Sequence, residues 1–546
     1  MTIFFSLILL LMSSFQASET YDVIIKNGTV YDGTGGAAVR ADVGITGDRI
    51  RKIGDLSSDS APVVIDAGGK AVAPGFINML SWAAYPLMND GRSMSDIKQG
   101  VTLEIFGEGS SLGPVNKAYP SNEDTPWTTF GEGLEHLVEQ GVTPNVASFV
   151  GATTIRIHEL GREDRAPTAV QLSRMQELVR DAMREGAMGL GTSLIYPPAF
   201  YASTDELIAL ASAAAEFDGM YISHMRSEGD QLIEAVEELA QISVEAGIDA
   251  EIYHLKAAGE KNWDKLDDVL GKIDSLRIAG HWITANMYTY TAASTGIAAT
   301  VPPWVREGSF SDFLERIKDP EIRERVLAEM NSPETDWENF LQLAGDPDNI
   351  LLLGFDVNEL NKYVGKTVAE VAEERETDAA NTILDLLSIN GSNISSVYFL
   401  MSEENVERQI QLPYMTFGSD ARSVAAEGSV LGSSTHPRTY GNFARLLGRY
   451  VRERGVISLE QAVHRLTGMP ANRLKIKDRG LLKPGAYADI VVFDPDEISD
   501  RATYVEPHQY AKGVEHVFVN GVQVLNSGQY TGETPGRFVK GPGYKQ

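Results

Sequence analysis

The stretch GMYISHMRSEGDQLIEAVEELAQISVEAGIDAEIYHLK, residues 219–256, decides the fold. Met220-Tyr-Ile-Ser223 is a short apolar run and reads as a buried strand, and Ala250-Glu-Ile-Tyr253 reads as the next one. Between them, Leu232 to Ala246 has the length and pattern of an amphipathic helix. A strand, a helix and a second strand of this kind form a parallel crossover unit. Each strand is followed directly by a histidine, His224 and His254.

Outward from this unit the rhythm continues. Thr168 to Glu185 carries apolar residues at helical spacing (Leu172, Met175, Leu178, Val179, Ala182), followed by the strand-like Gly186-Ala-Met-Gly-Leu190. Thr204 to Phe217 and Trp263 to Leu276 read as further helices, and Ile283-Thr-Ala-Asn-Met287 as a further strand. Alternation sustained over about 400 residues predicts an α/β fold, a (β/α)8 TIM-type barrel over roughly 75–477. A charged, Glu-rich helical stretch at about 304–353 breaks the rhythm and reads as an insertion over one mouth of the barrel. Both ends are rich in short strands and Gly turns: Asp22 to Tyr31, with Asn27-Gly28 as a hairpin turn, Val43 to Ile53, Asp489 to Phe493, and Val517 to Val524. Segments 19–74 and 478–546 therefore predict one small β-sandwich-like domain built from both termini.

Residues 1–18 hold an apolar run, Ile3 to Met12, too short to span a bilayer and followed by small residues. This is the pattern of a cleaved signal peptide and predicts a secreted or periplasmic protein. The chain of 546 residues has 47 Lys+Arg against 76 Asp+Glu, a net charge of −29. Such a surface repels nucleic acid and anionic lipid, so neither nucleic acid nor, after signal cleavage, a membrane is an expected partner. There is no cysteine, which removes disulfides, Cys nucleophiles and thiolate ligands; any metal site must use His, Asp, Glu or a modified Lys.

With only nine histidines in the chain, the pair His224 and His254 at successive strand ends stands out. Asp420 follows a third apolar strand, Pro413 to Ser419. The C-terminal ends of barrel strands carry the active site in this architecture. Imidazole is a good zinc ligand, and a carboxylate beside it can serve as general base.

These residues sit in runs that resemble the N-acyl-D-amino-acid deacylases (D-aminoacylases) of the amidohydrolase superfamily. The resemblance is carried by Val72-Ala-Pro-Gly-Phe-Ile77, Gly186 to Pro197, Tyr221-Ile-Ser-His-Met-Arg226, Ile252-Tyr-His-Leu-Lys256, Tyr288 to Gly296, Phe417-Gly-Ser-Asp420, His436-Pro-Arg-Thr-Tyr-Gly441 and Leu481 to Pro495. It runs from about Tyr21 to the end. It implies hydrolysis of a C–N amide bond in a small acylated amino-acid-like substrate. One divalent metal, zinc, would sit on His224 and His254, with Asp420 as general acid/base. Lys256 and Tyr196 match substrate-contacting positions of the family; Arg226, Tyr288 and Arg438 are further candidates for the same pocket, Arg438 equally for a structural ion pair.

The departures are as informative. Where the family pattern has Asp-x-His-x-His, this chain has Asn78-Met-Leu-Ser-Trp82, so Leu80 and Trp82 stand at the histidine positions and only one of two possible metal sites remains. Where the family carries a ligand cysteine, Gly109 stands here. Glu108 is the nearest replacement, and Glu104, deeper in the same strand, is its rival along with a carbamylated lysine. Two other readings share the barrel: a cyclic-amide or peptide-like amidohydrolase, and a binding protein with decayed chemistry. The sequence leaves the oligomeric state open.

Overall fold

The computed structural model describes residues 19–119 and 125–545. The expected signal peptide, 1–18, lies outside the described residues. Eight parallel strands follow one another around a closed barrel: Phe76–Asn78, Val101–Phe106, a third in two pieces (Asn145–Ser148 and Val150–Gly151), Gly189–Ser193, Met220–His224, Asp249–Ile252, Ile283–Met287 and Met415–Phe417. Each pairs in parallel with its predecessor. The ring closes where Met79 N–H donates to Phe417 O and Asp420 N–H donates to Leu80 O. Side chains fill the interior, among them Ile77, Leu103, Phe149, Met188, Ile222 and Tyr253, so the barrel is a packed core.

The crossover helices form where the apolar spacing predicts them. Leu232–Ala246 is helical over the expected span. Ala169–Glu185 starts at a capping box, with Thr168 accepting from Gln171 N–H, and ends at Gly186, whose φ of 112° suits a helix terminus. Gly186 thus closes the helix, and the strand expected from that residue begins three residues later at Gly189.

The two ends of the chain join in one hydrogen-bonded sheet of nine strands. Ala71–Pro74 from the N-terminal part pairs antiparallel with Ile490–Phe493, Val72 opposite Val492. One local expectation is corrected. Asn27-Gly28 makes no hairpin; the strand Val23–Val30 runs through it, with Asn27 at φ 62° and the register shifting between Ile25 and Gly28. The left-handed residue makes a bulge there, because both flanks pair with the same neighbour.

The insertion is also larger than 304–353. It fills the connection between the seventh and eighth strands and contains a three-stranded antiparallel sheet, Ala293–Gly296, Ile350–Leu352 and Ser395–Tyr398. Helices including Pro320–Met330 and Ala379–Asn390 surround it. Phe313, Val326, Leu384 and Tyr398 belong to its own apolar core. Among the described residues, no helix is long and apolar enough to cross a membrane.

Candidate metal centre

The site stands on strand ends at the C-terminal mouth of the barrel. His224 is the last residue of the fifth strand, and His254 lies just past the sixth with its backbone at φ 33°. Asp420 lies just past the eighth at φ 48°. Two non-glycine residues in the left-handed region, both facing one cavity, mark strain held where chemistry is done. The second strand ends at Phe106, and Gly107 and Gly109, at φ 107° and 72°, turn Glu108 inward. Neither glycine has room for a side chain, since a Cβ at Gly107 would lie 2.3 Å from Phe149 O.

The turn brings Glu108 onto both histidines. Its Oε1 lies 2.8 Å from His224 Nδ1 and 3.1 Å from His254 Nε2. One ligand atom from each of the three residues falls within 4.8 Å of the others, and all three side chains are buried. His224 Nε2 and Glu108 Oε2 are buried with no hydrogen-bond partner. Unused lone pairs on imidazole and carboxylate, in a set of two His and one Glu, fit the donor chemistry of a catalytic zinc. The rival Glu104 faces elsewhere: it accepts hydrogen bonds from Ser81 and Ser93.

Glu228 is the residue that sequence reasoning missed. It is buried four residues beyond His224, with Oε1 2.8 Å from His254 Nδ1 and 2.5 Å from Lys256 Nζ. The clue available was a Glu at short spacing from a strand-end His. The insertion sets this loop, because Glu338 accepts from Ser227 Oγ and from Glu228 N–H. Electrostatics are strong in this buried setting. Burial alone would raise the Glu108 carboxyl, but the hydrogen bonds from His224 and His254 win and hold it down at about 2. Burial opposes ionisation of Glu228 too, and Lys256 with the histidines pulls it well below the usual carboxylate range. For His254, burial and Lys256 lower the affinity for a proton, yet Glu228, Asp420 and Glu108 prevail and raise it to about 9.

Asp420 faces this group across the cavity. Arg438 Nη1 lies 2.8 Å from its Oδ2, and the guanidinium stacks on the Tyr288 ring at 4.4 Å. The Tyr196 hydroxyl is 2.7 Å from Thr295 Oγ1, and its ring meets that of His224 edge-on. The metal triad, Asp420, Lys256, Tyr196, Tyr288 and Arg438 all line one cavity of about 1330 Å³. Arg226 is the exception among the expected residues. Glu238 holds its guanidinium in a two-toothed ion pair, and it donates to the backbone oxygens of Phe200 and Ala202. It braces that loop and leaves the cavity lining to others.

Comparison with known proteins agrees with this arrangement. An amidohydrolase family model matches residues 416–525. The chain is 31% identical to a D-aminoacylase of Alcaligenes xylosoxydans xylosoxydans, covering 96% of this chain and 98% of that protein. It is 32% identical to an N-acyl-D-glutamate deacylase of the same organism, covering 96% and 97%. A crystal structure of N-acyl-D-glutamate deacylase from Bordetella bronchiseptica, complexed with zinc and a phosphonate mimic of the tetrahedral intermediate, superposes with a TM-score of 0.79 at 31% identity, covering 96% of this chain and all of that one. A D-aminoacylase structure with a binuclear centre, described by one-metal activation and second-metal attenuation, gives the same TM-score over 95% of this chain. The chain belongs to the D-aminoacylase family of the amidohydrolases.

Proposed function

We propose that the protein is a zinc-dependent N-acyl-D-amino-acid deacylase working with one metal ion. The observation that carries this reading is the buried triad Glu108, His224 and His254 facing Asp420 across one cavity. The triad would hold the ion. Bound there, zinc would lower the pKa of a water to about 7 and polarise the scissile carbonyl. Asp420 takes the proton of the attacking water and later delivers it to the leaving amine nitrogen. Lys256 and Arg438 bring positive charge to the cavity for the substrate carboxylate, and Arg438 Nε is buried without a partner. Tyr196 and Tyr288 wall this end of the cavity. A single ion accords with Leu80 and Trp82, which offer no ligand atoms at the first strand. Residues 1–18 are proposed as a cleaved signal directing a secreted or periplasmic enzyme; the N-terminal sequence of the exported chain tests this, and an intact Met1 refutes it.

The test of the chemistry uses the zinc-loaded full chain and a panel of N-acyl-D-amino acids. Hydrolysis is expected, lost with a chelator and restored by zinc. Asp420→Asn is expected to lower kcat by about 10²–10⁴-fold with zinc content unchanged. Activity of that variant within a few-fold of the parent removes Asp420 from the proton transfers.

A further inference from the structure

Asp420 is gripped from a direction that the metal triad does not account for. The first barrel strand continues as Met79-Leu-Ser-Trp82, with Leu80 fully buried and Trp82 42% exposed on the cavity wall. The Trp82 indole Nε1–H donates to Asp420 Oδ1 at 3.1 Å. Arg438 Nη1 lies against the other oxygen as an ion-pair partner, so the indole N–H supplies the directed hydrogen bond and the guanidinium the charge. The backbones of the same two segments are tied as well: Asp420 N–H donates to Leu80 O, and Trp82 N–H donates to Ala421 O, both at 2.9 Å.

A carboxylate torsion is soft and broad, so a proton-transfer group left alone samples many orientations. A hydrogen bond to one oxygen and a cation against the other restrict that freedom. The indole N–H suits the task because it can only donate, and so it pairs with the ionised acid that must accept a proton. It also adds no charge, leaving Asp420 opposed by Arg438 alone among its hydrogen-bonding and ion-pair partners.

We infer that Trp82 is a positioning residue, whose indole N–H orients Asp420 for proton transfer from the tip of a strand that carries no metal ligand. This rests on the deacylase reading. A tryptophan that merely walls the cavity would act on substrate affinity instead, which gives the two roles separate signatures.

The test is Trp82→Phe in the zinc-loaded full chain, which keeps an aromatic ring and removes the N–H. The expected result with N-acyl-D-amino acids is a fall in kcat of about 10–100-fold, the usual effect of losing a hydrogen bond to a charged group, with KM within about twofold and zinc content unchanged. An unchanged kcat, or a raised KM alone, overturns the proposal. A second measurement needs no turnover. With the indole nitrogens labelled, the Trp82 N–H resonance is identified by its loss in Trp82→Phe, and it should shift in Asp420→Ala. A resonance indifferent to Asp420 overturns the contact itself. A wild-type chain that hydrolyses no N-acyl-D-amino acid refutes the deacylase reading, while the resonance still decides the contact.

Discussion

Two pairs of buried carboxylates sit near the same end of the barrel and are held in opposite states. Glu108 and Glu228 face His224, His254 and Lys256, and both are driven toward the ionised form despite complete burial. Glu104, in the second strand, and Asp96, just before it, meet only neutral donors: Ser81 and Ser93 for Glu104, and Asn78 and Ser423 for Asp96. Burial raises Glu104 to about 7, the two serines offsetting part of the effect, and burial together with Glu104 raises Asp96 well above its ordinary value. Hydroxyl and amide groups satisfy a carboxyl without compensating its charge, whereas an imidazole or ammonium does both. Four residues, from Glu104 within the second strand to Glu108 in the turn that follows it, thus separate an acid suited to keeping a proton from one suited to holding a cation.

The largest effect that would test this contrast is loss of the metal. Glu108→Gln is expected to weaken zinc binding by more than about 100-fold, whereas Glu104→Gln leaves it within a few-fold. Equal losses, measured by competition with a chromophoric chelator, would erase the distinction. Glu228→Gln should be intermediate, at about 10–100-fold in affinity or kcat, because Glu228 orients His254 and pairs with Lys256 without holding the ion. A Glu228→Gln variant with unaltered zinc affinity and kcat would return Glu228 to a packing role.

The smallest effect is on stability, and its sign follows from the raised acid. The folded chain binds the Glu104 proton more tightly than the unfolded chain, whose value is near 4.5. That stabilisation is complete below 4.5 and declines as pH rises through about 7. Its upper bound is on the order of 3 kcal/mol. Denaturant unfolding at pH 5 and pH 8 should therefore show a smaller loss of stability on going to pH 8 in Glu104→Gln than in the parent. A steeper loss would mean that the pair is ionised in the native state.

How much of this could be read from the chain depended on whether the cause was local. Periodicity and caps are local, so Leu232–Ala246 and the capped Ala169–Glu185 were legible, as were His224, His254 and Asp420 from their places at strand ends. The position of Glu108 was readable because two glycines announce an unusual backbone. Asn27-Gly28 misled because a left-handed residue serves a bulge as well as a turn, and the choice belongs to the neighbouring strand. Arg226 misled because Glu238, on the following helix, competes with the cavity for it. Glu228 and the Trp82–Asp420 contact escaped notice since their partners come from other strands of the barrel, separations that no spacing rule encodes.

The sheet that joins the termini has a consequence for synthesis. Val72 pairs with Val492, so the Ala71–Pro74 strand has no partner on that side until the ribosome has made about 420 further residues, roughly 20–80 s at usual elongation rates. During that interval a fully buried strand, Ala71-Val-Ala-Pro74, presents an open edge of the kind that recruits other chains. Pro74 at its end supplies no N–H and shortens the edge available for pairing. The strand that covers it, Ile490–Phe493, is made late, so a chain truncated before that strand leaves the edge open to association between nascent chains, well away from the catalytic mouth.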